Sequence, residues 1–150
     1  MTWIKPSFLW MMYRCGWATK PDQETVLAVE ITRAGFEWAL THACSAQYDS
    51  RVHPSAAAWK RALKRAPARV QWDPERDLHL RPLAHRSLQL GLGREAARRY
   101  ADEWIVAITD VTALVREIHD LVRRGELSAA AARLPDERPL ALSASRPAPV

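Results

Sequence analysis

Seven tryptophans are spread along the chain: Trp3, Trp10, Trp17, Trp38, Trp59, Trp72 and Trp104. Rings of this size dominate buried area. Spaced this way, they predict one core that draws on every segment, with most of the rings packed inside it. A length of 150 residues suits one domain and leaves little for a second. That domain is expected over 1–134. Four prolines among small residues from Pro135 to Val150 predict a disordered tail over 135–150. An apolar fraction of 48% excludes a chain disordered throughout.

The net charge is +5, and much of it lies in one stretch. From Arg51 to Val70 there are six Arg or Lys and no acid. Such an excess favours anionic partners, a nucleotide phosphate or a nucleic acid. Cys15 and Cys44 lack ligand or disulfide spacing and read as small buried hydrophobes in a reducing, cytoplasmic setting. The longest apolar run near the start, Phe8 to Tyr13, is six residues, too short for a leader or a membrane span, so no membrane partner is expected.

Local patterns alternate between helix and strand. Pro6-Ser7 before Phe8-Leu9-Trp10-Met11-Met12-Tyr13 predicts a short buried helix with Pro in its first turn, ended by Gly16. Thr25 to Ile31 is apolar on both faces, as in a central strand, and Arg33 to Cys44 reads as a helix. After a loop over Tyr48–His53, Ser55 is placed to cap a helix to Ala66. Arg69 to Trp72 is expected as a strand broken by Asp73-Pro74, and His85 to Leu90 alternates like a half-buried strand. Gly91-Leu92-Gly93 then turns into a helix from Arg94 to about Tyr100. Glu103 to Thr109 is the strongest strand pattern in the chain. Thr112 is placed to cap a helix ended by Gly125, and an Ala-rich helix to Leu134 closes a helical hairpin. Several strands are joined too closely for crossover helices. The fold class is therefore α+β: a mixed, mainly antiparallel central sheet with flanking helices and a C-terminal helical hairpin.

Three phrases carry a resemblance. They are Met1-Thr2-Trp3-Ile4-Lys5-Pro6-Ser7-Phe8-Leu9-Trp10-Met11-Met12-Tyr13-Arg14, Val70-Gln71-Trp72-Asp73-Pro74-Glu75-Arg76-Asp77-Leu78, and Asp102-Glu103-Trp104-Ile105-Val106. Together they resemble the family catalogued as domain of unknown function 4291, over roughly Met1 to Leu134. The resemblance also implies a further strand before the first phrase, so an inactive, truncated member of that family is a further alternative expectation. A second, fainter likeness is to ADP-ribosyltransferases. Asp102-Glu103 opening an apolar strand, followed by Asp110-Val111-Thr112, is similar to their closing segment, and Thr2 to Ser7 before the Phe8 helix is similar to an earlier one. It implies an NAD-dependent transferase with Glu103 as catalytic carboxylate, stabilising the cation formed as nicotinamide leaves. Lys5, Ser7 and Trp10 would then lie near the dinucleotide.

Read as residues, the same positions have ordinary alternatives. Asp102 and Glu103 also suit a polar helix-to-strand connection. A helix amino end favours anions, so Lys5 and Ser7 suit a phosphate, although Ser7 also suits a simple cap. Arg86 and Leu88 are expected on one strand face, with Ser87 and Gln89 on the other. Arg86 and Gln89 are candidate cofactor contacts, and an exposed polar sheet face explains them equally well. Lys60, Arg61, Lys64 and Arg65 form a basic helix face that could follow a nucleic-acid backbone or simply face solvent. The five histidines show no i, i+4 pair, so no metal is expected, and no phosphate-binding Gly-rich loop is present.

Overall fold

The computed structural model describes residues 1–141. Strand β1 (Thr2–Ile4) leads to helix α1 (Phe8–Cys15), then strand β2 (Leu27–Ile31), helix α2 (Arg33–Thr41) and strand β3 (Ala43–Ser45). Helix α3 (Ala56–Arg65) precedes the long strands β4 (Ala68–Arg76) and β5 (Pro82–Leu92). Helix α4 (Arg94–Arg99) runs into a π-helical turn over Tyr100–Trp104, followed by strand β6 (Ile105–Asp110) and the pair α5 (Thr112–Arg123) and α6 (Leu127–Ala132). The fold is α+β. A four-stranded sheet has the order β1-β5-β4-β3, antiparallel except for β3 beside β4. A separate two-stranded sheet pairs β2 with β6. No helix among the described residues is long and apolar enough to cross a membrane.

Strand register divides the larger sheet into two chemically different faces, because side chains alternate along each strand. Ile4, Ala43, Ala68, Val70, Trp72, Leu88, Leu90 and Leu92 share one face and pack on α2, α4 and Trp104. The other face carries Trp3, Cys44, Arg69, Gln71, Asp73, Ser87, Gln89 and Gly91. At Gly91 a Cβ would lie 2.8 Å from the Met1 sulfur and 2.9 Å from the Trp3 ring, so a larger residue would displace those side chains. A second cluster, built on Met12, Trp17, Val115, Ile118 and Ala130, joins α1 to the α5–α6 pair and to Leu78 and Leu80 of the β4–β5 turn.

Two cores therefore replace the expected one. Of the seven tryptophans only Trp17 and Trp104 are buried, and Trp3 is exposed. Both free cysteines are buried. Ser7 caps α1 by accepting from the Trp10 N–H, with Pro6 outside the helix, and Gly16 ends it at φ 60°. The segment at Leu27–Ile31 is not central. It meets only β6, and Leu27, Val106 and Ile108 are exposed. Cys44 lies in β3 rather than in α2. Strand β4 continues through Asp73-Pro74, since its register shifts between Pro74 and Arg76, and a proline is tolerated at such an irregularity. Gly91 and Leu92 extend β5 rather than turn it. Thr112 does not cap its own helix; its hydroxyl accepts from the Val26 N–H and so ties β2 to α5.

Beyond α6, the expected tail has no helix or strand up to residue 141. It nevertheless makes two contacts with the domain: Glu137 accepts from the Phe8 N–H, and Arg33 donates to the Ala141 carbonyl. The remainder of that tail lies outside the described residues.

Candidate functional site

Two neighbouring features on β4 stand out. The first is a polar network on the face opposite the core. Lys5, just past β1, brings its ammonium 3.3 Å from Asp73 Oδ2 and donates to the Ser87 carbonyl at 3.0 Å. Gln89 Nε2 donates to Asp73 Oδ2 at 2.8 Å and Gln71 Nε2 to Oδ1 at 2.9 Å, so both carboxylate oxygens are held. The Lys5 ammonium also sits 4.7 Å from the centre of the Trp10 ring. Burial pushes its pKa below the ordinary lysine value, outweighing the pull of Asp73 in the other direction.

Beside this, Ser7 donates its hydroxyl to Glu75 at 2.7 Å, and the Arg76 N–H donates to the same oxygen at 2.9 Å. Burial pushes the Glu75 carboxyl up, but these hydrogen bonds overcome it and hold the group below its ordinary value. Ser87 Oγ is buried without a hydrogen bond of ordinary geometry, though its hydroxyl lies near enough to Glu75 to add to that effect. Arg69 Nε, Trp72 Nε1 and Arg76 Nε are likewise buried without partners among the described residues.

The second feature is a cleft of about 760 Å³ beside the edge of β4. Strand β3 pairs with β4 only as far as Val70, and Ala46 N–H closes that pairing on the Val70 carbonyl. Past that point, residues 46–55 swing away from β4, and the gap is lined by Tyr48, Arg51, His53, Gln71, Trp72 and Arg86. The loop is built rather than slack. Arg51 and Asp49 are joined by side-chain hydrogen bonds of 2.8–3.1 Å, which hold the Asp49 carboxyl below its ordinary value. Trp59 of α3 donates its indole N–H to the Ser45 carbonyl at 2.9 Å, and its ring lies 6.1 Å from that of Tyr48. Arg86 donates to the Trp72 carbonyl at 2.8 Å and has no carboxylate partner among the described residues. Gln71 belongs to both features, lining the cleft while bonding Asp73.

The predicted site residues fall into four places. Lys5, Ser7, Trp10 and Gln89 come together around Asp73 and Glu75. The amino end of α1, expected to receive a phosphate, is already occupied by the chain itself: Glu137 takes the Phe8 N–H and Ser7 the Trp10 N–H. Arg86 points to the opposite face and lines the cleft. Lys60, Arg61, Lys64 and Arg65 are all exposed on α3.

Glu103 lies in the π-helical turn, not at the head of a strand, and its carboxylate is exposed and paired with Arg99 at 3.2 Å. The cause is Trp104. Its buried ring sits where a Gly35 Cβ would be only 2.3 Å away, and its carbonyl accepts from Thr32. Pinning the indole inward leaves the preceding residue outside. The turn packs on α2 and α4, whereas α1 packs on β4. Sequence reasoning missed Asp73, Glu75, Gln71, Tyr48 and His53. The one available signal for the loop was its length, ten residues against the usual four to six. Among the described residues, no group of three or more His, Cys, Asp or Glu is placed to hold a metal ion.

The fold and these features define an α+β domain with a ligand-sized cleft at a sheet edge and a buried lysine–carboxylate network behind it. The chain belongs to the family described as Domain of unknown function (DUF4291), whose model matches residues 1–140. No curated protein and no solved structure matches it.

Proposed function

We propose that this domain binds a nucleotide-type ligand, a flat ring bearing phosphate, in the cleft beside β4. The observation that carries this reading is that Tyr48 and Trp72 line one cleft together with Arg86, a guanidinium with no carboxylate partner among the described residues. Aromatic faces receive a base by stacking, and a guanidinium recognises a phosphate through paired N–H donors. The volume of about 760 Å³ lies in the range typical of small-molecule sites. Gln47 and Gln71 supply amide groups for the edge of the ring.

The finer reading, an NAD-dependent transferase using Glu103, has the sequence likeness in its favour and the geometry of that residue against it. Glu103 is not among the cleft's lining residues and is held by Arg99 on the surface. NAD therefore enters as one member of the ligand class.

Thermal melting in the presence of AMP, ATP, GTP and NAD tests the proposal. A ligand present at a hundred times its Kd stabilises by about 2.7 kcal/mol, a rise of roughly 5–10 °C for a chain of this size. At least one phosphate-bearing nucleotide is expected to give such a rise, the matching nucleoside much less, and Arg86→Gln little or none. No shift with any of the four, or a full shift retained in Arg86→Gln, would overturn it.

A further inference from the structure

We infer that the nucleotide held in the cleft is one unit of a single-stranded nucleic acid whose backbone runs along α3. This rests on the nucleotide reading and adds the class of substrate. Its basis is a second surface, on the helix that anchors the cleft loop. Helix α3 exposes Lys60, Arg61, Lys64 and Arg65, none of which has an acidic partner among the described residues. Residues 60 and 64, 61 and 65, and 61 and 64 stand three or four apart, so the four cations form one continuous face. No acid interrupts the sequence from Arg51 to Val70.

Two of the four have an ordinary explanation, since Lys64 and Arg65 occupy the last turn and offset the helix dipole. Lys60 and Arg61 lie a turn earlier, and the dipole gives no reason for them. The opposite side of the helix faces the protein: Trp59 and Leu63 are partly buried, and the Trp59 indole N–H anchors the cleft loop at Ser45. Helix α3, about 15 Å long, is thereby tied to the loop that lines the cleft.

That combination fits a single strand better than the other anionic macromolecules. A duplex keeps its bases stacked and paired, whereas a single strand turns a base outward onto an aromatic platform while cations follow its phosphates. A membrane surface would need apolar side chains on the same side as the cations, and on α3 they are on the opposite side.

Fluorescence anisotropy with labelled ten-nucleotide single-stranded RNA and DNA, over a series of salt concentrations, tests the inference alongside mononucleotide melting shifts. One of the oligomers is expected to bind at least tenfold more tightly than its mononucleotide. Replacing Lys60, Arg61, Lys64 and Arg65 together by Gln should cut oligomer affinity roughly a hundredfold. The same change should reduce the slope of log affinity against log salt by up to about 3, at about 0.7 per phosphate contact. Mononucleotide binding by this variant should be unchanged, which also shows that it is folded, whereas Arg86→Gln should weaken both ligands.

A mononucleotide shift without any gain from the oligomer would overturn the inference and leave the nucleotide reading standing. Oligomer binding indifferent to Arg86 would overturn the link to the cleft. Binding to vesicles containing phosphatidylserine, with none to either oligomer, would assign the basic face to a membrane instead.

Discussion

Two lysine- or arginine-to-carboxylate pairs in this molecule have almost the same length and opposite settings. Lys5 and Asp73 are 3.3 Å apart, with side chains 2% and 15% exposed. Arg99 and Glu103 are 3.2 Å apart, with side chains 30% and 53% exposed. The first joins residues 68 positions apart in the chain, and two amide side chains complete its bonding. The second is an i, i+4 pair on a continuous helical stretch. Distance alone says nothing of their worth, because water around the second pair screens what the sheet around the first does not. The buried pair ties the connection between β1 and α1 to β4; the exposed pair decorates a turn that Trp104 already fixes.

Asp73→Ala is expected to give the largest effect. It strips the buried ammonium of its counter-ion and leaves Gln71 and Gln89 without their acceptor. Breaking a buried pair in this way costs about 3–5 kcal/mol, read as a lower urea midpoint with an unchanged slope. A cost below about 1 kcal/mol would put this pair in the same class as Arg99–Glu103 and remove the contrast.

Ser7→Ala is expected to cost about 1 kcal/mol as a lost helix cap, and its pH dependence separates capping from its second role. Glu75 is held below its ordinary value partly by the Ser7 hydroxyl, so the native state favours the charged carboxylate. For a group depressed in this way, the stabilisation is present above the unfolded value and is lost as pH falls through the folded one. Without the Ser7 hydroxyl, burial opposes one hydrogen bond fewer and the carboxyl rises. The stability difference between wild type and Ser7→Ala should therefore be larger near pH 7 than near pH 3 in urea titrations at the two pH values. An equal difference at both would reduce Ser7 to a cap alone.

The contrast between the pairs also explains what could be read from the sequence. Local signals were legible: Ser7, Ser55 and Gly16 mark helix ends where expected, and the alternation of Arg86, Ser87, Leu88 and Gln89 sorts them onto two faces as the β4–β5 register does. What was not legible depends on partners far away. Asp73 reads as the start of a strand break, and its role exists only because Lys5 arrives from the first strand. Pro74 reads as a terminator, yet it sits where the strand register shifts. The apolar run at Thr25–Ile31 looks like a central strand because hydrophobicity cannot tell a buried strand from one of an exposed pair. The cleft was invisible for a related reason. Its walls come from a loop, a strand edge and one side chain of the neighbouring strand, brought together by where β3 stops.

Glu103→Gln is expected to have the smallest effect and is the most informative for function. The amide keeps the size of the side chain and removes the charge, so only an exposed i, i+4 pair is lost, at about 0.3–0.5 kcal/mol. High salt should shrink even that, since at about 1 M the screening length is close to the length of the pair itself. The variant should melt with wild type within error and keep its full stabilisation by whichever nucleotide the cleft accepts. A nucleotide shift lost in Glu103→Gln but retained in Arg86→Gln would reverse the assignment. Ligand recognition would then belong to the π-helical turn, and the exposed pair, for all its weakness in the folded protein alone, would be the one that matters when the ligand is bound.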